Sequence, residues 1–152
     1  MQDLATVESV SARLETVLIR LSAHFRSMPE SKLLGRLPDG RLRAAAGHEL
    51  AERVALAAQG VEDRGRSVPP TWRALPFDGP FAVGDQIGVT GHDLLVACGA
   101  VAGAAAGEDA AEVWVPVAAM GDEGGLPQCE RVGIGELLRR VLAEAEGLAG
   151  VL

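Results

Sequence analysis

An all-α fold, an antiparallel four-helix bundle with a Pro-rich crossover and a long acidic loop, is what this chain predicts. Three observations predict it. Four stretches carry apolar residues at helical spacing. The core on offer is small in side chain, with Ala, Val and Leu dominant, no Tyr, two Trp and three Phe. Such residues suit closely packed helices better than an aromatic-rich β-sandwich. At 152 residues, the chain has the size of a single domain, residues 1–152, and can bury one continuous core. With 48% apolar and 23% charged residues, it lies well outside the disordered class.

The first helix is expected over residues 4–28. Leu4, Val7, Leu14, Leu18, Leu21, Phe25 and Met28 follow a 3,4 spacing broken only at Ser11, and Val10 and Val17 widen the stripe. Pro29 stops it. A second helix is expected over residues 40–63, with Leu42, Ala46, Leu50, Val54, Ala57 and Val61 along one face. Asp39 is placed to cap its first turn, and Gly65 lies where a C-terminal cap belongs. Two helices joined so closely are expected to fold back on each other as a hairpin.

Residues 66–80 hold Pro69, Pro70, Pro76 and Pro80 among Trp72, Leu75 and Phe77. Prolines at this density force extended backbone, and the aromatics point to an ordered crossover packed on the helices. The third helix, residues 81–106, has Val83, Ile87, Leu94, Cys98, Val101 and Ala105 in phase. Gly84, Gly88 and Gly91 each cost about 1 kcal/mol there, so a hairpin turning at Thr90-Gly91 is the alternative. As a helix, the three glycines share one flank, open to a neighbouring backbone. Residues 107–132 read as an acidic loop broken by Val113-Trp114-Val115-Pro116-Val117, a short strand or a lid. A last helix is expected over residues 134–152.

Charge divides the chain. Residues 1–76 carry eleven cations against nine anions, and residues 77–152 carry three against twelve. Between Arg73 and Arg131 lie 57 residues without Lys or Arg. An acidic half of this kind suits a basic protein partner and disfavours nucleic acid. Arg26, Lys32, Arg36, Arg41 and Arg43 surround the first turn without interleaved aromatics, and are expected to lie against the acidic loop. Cys98 and Cys129 do not form a disulfide scaffold. The longest uncharged run, residues 94–107, is shorter than the ~20 residues a bilayer demands. With no signal-like amino terminus, the expected compartment is the cytoplasm, with no membrane association.

Imidazoles from separate helices can meet around a metal inside a bundle, but phase argues against it here. His48 lies about 160° from Leu50, and His92 about 160° from Leu94, at 100° per residue. Both are expected to face solvent beside carboxylates, with His24 at a boundary. Cys98 falls on the core stripe, and Cys129 has acidic neighbours that disfavour its thiolate. The glycines do not open a phosphate loop.

Val89-Thr90-Gly91-His92-Asp93-Leu94-Leu95-Val96-Ala97-Cys98-Gly99 resembles the Val-His-Gly-Trp-Asp-Leu-x-x-Ala-x-Gly segment of DinB-like four-helix bundles. These include the mycothiol-dependent maleylpyruvate isomerases, whose bundles commonly hold a divalent metal. The resemblance covers 11 residues of the 152. In it the family's metal-binding His falls on Thr90 and the carboxylate four residues earlier falls on Gln86, neither a good ligand for zinc or nickel. Only His48, near the family's first-half His, carries over as a metal ligand. The resemblance implies a similar bundle whose metal site is absent.

Two functions stand open. The first is a non-catalytic binding or accessory protein without cofactor. It would dock a protein partner on the loop around Trp114, with Glu108, Asp109, Glu112, Asp122 and Glu123 as a charged rim. In that segment Trp114 has a plainer role, capping its own core. The second is a DinB-like enzyme, of thiol transferase, isomerase or hydrolase type, with one divalent metal on His48. A homodimer through the stripe of the first helix is a third arrangement.

Overall fold

The computed structural model describes residues 2–104, 112–116 and 129–152, and within them the chain is mostly helical with a two-stranded sheet. Helix α1, Gln2–Ser27, buries Leu14, Leu18, Leu21 and Phe25 along the expected stripe. Pro29 ends it and begins α2, Glu30–Leu33, a single turn that delivers Leu33 to the core. The sequence pattern did not reveal α2, because one turn is shorter than the hydrophobic period.

Leu37-Pro38-Asp39-Gly40 is a tight turn. The Gly40 N–H donates to Leu37 O at 2.9 Å, and the Leu37 N–H donates to Arg41 O at 2.8 Å. Gly40 has φ 92°, a conformation that a side chain would strain. Asp39 is spent inside this turn, its Oδ1 accepting the Arg41 N–H at 2.9 Å, and does not cap the next helix. Helix α3 therefore starts at Arg43, runs to Glu62, and has Leu42 at its N-cap with no side-chain bond. Its end is at Asp63 rather than Gly65.

The crossover leaves α3, passes the four prolines, and enters a 3-10 turn, Pro80–Ala82, that leads into α4, Val83–Ala104. The glycine segment is helix, not hairpin. Its flank receives α1: a Cβ on Gly84 would lie 2.8 Å from Ser22 O, and the Ser22 hydroxyl donates to Gly84 O at 2.8 Å. Strands β1, Glu112–Pro116, and β2, Cys129–Gly133, pair antiparallel from Glu112↔Gly133 to Pro116↔Cys129. β1 is the apolar patch expected as strand or lid. β2 was read as loop, because Val132 alone among its residues is a large apolar side chain and pairing, not pattern, makes the strand. Helix α5, Ile134–Ala149, buries Leu137, Leu138, Val141, Leu142, Ala145 and Leu148.

The long helices do not all alternate in direction. Leu18 meets Gly91 while Ser22 meets Gly84, so α1 and α4 are antiparallel. Arg53 meets Glu144 and Ala57 lies by Leu137, so α3 and α5 are antiparallel too. Val7 meets Gly135 and Arg13 meets Glu146, which makes α1 and α5 parallel. Gly47 meets Val83 and Ala58 lies by Thr90, which makes α3 and α4 parallel. The hairpin expected of the first two long helices is absent: α1 and α3 each pack on α4 and α5 and face each other across the core, where Phe25 reaches Gly47. The glycine flank of α4 admits α1 more closely than a side-chain-bearing face would, and this decides the neighbour. No described helix is long and apolar enough to cross a membrane.

Candidate functional site

Polar side chains of α3 and α4 converge under the crossover. Gln59, buried on α3, donates from Nε2 to Thr71 O at 2.6 Å and accepts the Arg73 N–H on Oε1 at 3.1 Å. Two turns earlier, Glu52 accepts the Leu75 N–H at 3.3 Å. On α4, Gln86 donates from Nε2 to Pro76 O at 2.8 Å, which leaves its Oε1 facing His48 Nδ1 at 3.1 Å. Because that amide oxygen only accepts, Nδ1 carries the proton. Phe77 meets the imidazole edge-on, ring centroids 5.3 Å apart. Extended, proline-rich backbone has few partners of its own, and these amides and carboxylate supply them.

His48 is thus half-buried with Gln86 as its partner, not a solvated imidazole beside Glu52. The phase argument placed it correctly off the apolar stripe, but the crossover covers that face. The three positions singled out by the resemblance carry neutral chemistry, and the fold joins two of them. His48 and Gln86 bond one another, while the Thr90 hydroxyl donates to Gln86 O in its own helix at 2.8 Å. One imidazole, an amide and a hydroxyl do not fit zinc or nickel. Among the described residues no three His, Cys, Asp or Glu side chains form a metal-binding group. His24 and His92 are exposed on other faces.

Trp114 lies in β1 and is 8% exposed. Its indole N–H donates to Arg66 O at 3.2 Å, and the Arg131 guanidinium lies 4.8 Å from the ring centroid, a cation–π contact. Its carbonyl is pressed onto α3 so closely that only Gly60 fits beneath it. The ring is buried against α3 and the crossover. Glu112 is exposed and pairs with Arg131 at 3.6 Å. Glu108, Asp109, Asp122 and Glu123 lie outside the described residues. Cys98 is buried, and that burial pushes its thiol up to about 12, so it is not a nucleophile at neutral pH. The Cys129 sulfur accepts the Trp72 indole N–H at 3.1 Å.

The basic turn finds its partners mostly at home. Arg41 pairs with Asp39 at 2.8 Å and Glu49 at 2.6 Å, and Arg43 donates to Lys32 O. Among the described residues, only Arg26 of this cluster reaches the second half, to Asp85 at 2.6 Å; most of the acidic loop expected to face the cluster lies outside the described residues.

A different surface carries unspent apolar area. Between α1 and α4 runs an open groove of about 500 Å³. Leu18, Ser22, Gly88 and Gly91 floor it, and Ile19 and Val89, each 61% exposed, stand on its walls. Val96, 57% exposed, lies two turns beyond Val89 on α4, outside the groove lining. The charged groups bordering it are Glu15, Asp93 and the Arg26–Asp85 pair. These apolar positions lie off the core stripe. Ala12, Thr16, Ile19 and Ala23 form a second, outward 4,3,4 stripe that was legible in the sequence once the core stripe is subtracted. No family model matches the chain, and no curated protein and no solved structure matches it.

Proposed function

We propose that this chain is a non-catalytic binding or accessory protein, a cytoplasmic four-helix bundle whose work is done by its surface on a protein partner. The observation that carries this reading is how His48 and Gln86 are used. Where a metal-dependent bundle would present ligands, the Gln86 amide is shared between His48 Nδ1 at 3.1 Å and Pro76 O at 2.8 Å. Gln86 fastens the crossover backbone, and His48 is bonded to Gln86. The inert thiol of Cys98 and the net charge of −7, which favours a basic partner, support the same reading.

Metal analysis of tag-free protein by inductively coupled plasma mass spectrometry tests it, with wild type and His48→Ala side by side. The expected result is no stoichiometric zinc, nickel or iron in either. About one metal per chain, lost in His48→Ala, would overturn the proposal in favour of a DinB-like metal enzyme, since structural zinc binds with affinities that survive purification.

A further inference from the structure

We infer that the groove between α1 and α4 is a docking site for an amphipathic helix flanked by Lys and Arg; this rests on the binding-protein reading and names its partner's chemistry. Helices dock in grooves by inserting apolar side chains at i, i+3, i+4 and i+7 spacing. The groove is built to receive them. Gly88 and Gly91 keep its floor low, lying directly against Ser22 and Leu18 of α1. Ile19 and Val89 offer contact on the two walls. On α4, Val89, His92, Val96 and Gly99 are all exposed at 3,4,3 spacing, so the surface presented to the visitor itself follows a helix.

Charge selects the occupant. Among the described residues no cation pairs with Glu15 or Asp93, which line the groove, whereas Arg26 is held by Asp85 at 2.6 Å. Two carboxylates and one neutralised guanidinium therefore line the groove. A second copy of this chain would bring these carboxylates against one another, which disfavours a two-fold self-contact. A helix with cations beside its apolar stripe meets both features at once: aliphatic contact on Ile19 and Val89, and ion pairs with Glu15 and Asp93.

The test is fluorescence anisotropy with two labelled synthetic peptides that share one Leu stripe at helical spacing, one flanked by Lys and the other by Glu. The Lys peptide should bind the full chain with a Kd in the micromolar range, roughly 10 μM, and the Glu peptide should bind at least about tenfold more weakly. Ile19→Asp with Val89→Asp, both exposed and so compatible with folding, should weaken the Lys peptide about tenfold or more. Glu15→Lys with Asp93→Lys should weaken it about tenfold and flatten its salt dependence. Equal binding of the two peptides, binding unchanged in the Ile19/Val89 variant, or no binding of the Lys peptide would overturn the inference. So would a dimer in sedimentation analysis that the Ile19/Val89 variant abolishes. Each of those results can stand beside metal-free protein, so the docking inference and the non-catalytic reading fail separately.

Discussion

At the scale of single residues, the glycines divide by what lies above them. Gly60 sits on α3 directly beneath the Trp114 carbonyl, and a Cβ there would overlap the carbonyl oxygen. Gly60→Ala must therefore push β1 off the helix, at an expected cost of about 3 kcal/mol. Gly84→Ala meets Ser22 O at 2.8 Å and the Arg26 backbone N at 2.9 Å, both fixed by α1, and should cost about 2 kcal/mol. Gly99 is exposed on the same helix with nothing within 4 Å of its would-be Cβ. Gly99→Ala should therefore stabilise by about 0.5–1 kcal/mol, through helix propensity alone. Urea denaturation of the three variants checks the order. The flank of small residues at 84, 88 and 91 was legible from phase, whereas Gly60 was not, because the strand it accommodates is remote in sequence.

Among the elements, the crossover depends on side chains it does not own. Gln59 bonds Thr71 O and the Arg73 N–H with the two ends of one amide. Gln59→Leu keeps the bulk and removes both bonds, leaving two backbone groups to find water. The expected loss is about 2 kcal/mol, with faster amide exchange at Arg73 as its local signature. Gln86→Leu should act alike through His48 and Pro76 O. Unchanged exchange along residues 71–77 in both variants would show the crossover to be held by Trp72 and Leu75 instead. The order of this segment was legible, since Trp72, Leu75 and Phe77 lie among its prolines. Its fasteners were not, because Gln59 and Gln86 look like ordinary polar helix residues until a neighbour covers them.

For the molecule as a whole, the α3–α5 seam gives stability a dependence on pH. Burial raises the Glu144 carboxyl above its ordinary value of 4.5, and the Arg53 guanidinium only partly opposes this; the pair is 3.0 Å apart. A carboxyl raised in the folded state contributes stability that is fully present below the unfolded value and lost as pH rises through the folded one. Glu144→Gln should therefore raise the midpoint of thermal unfolding at pH 7, with the advantage over wild type disappearing below about pH 4. An advantage that persists unchanged at pH 3 would refute the assignment. The same scale separates pattern from topology. The periodic apolar stripes determined the long helices, since a stripe of 3.6 period can be buried only as a helix against a core, and the composition determined that the core would be aliphatic and small. Tertiary structure alone decided the rest. It set which helices run parallel, because the glycine flank of α4 binds whichever backbone fits it. It turned Trp114 inward, because Gly60, Arg66 and Arg131 meet only in the fold. It set His48 against Gln86 beneath the crossover, because hydrogen-bond partners are chosen by distance in space, which spacing along a chain does not encode.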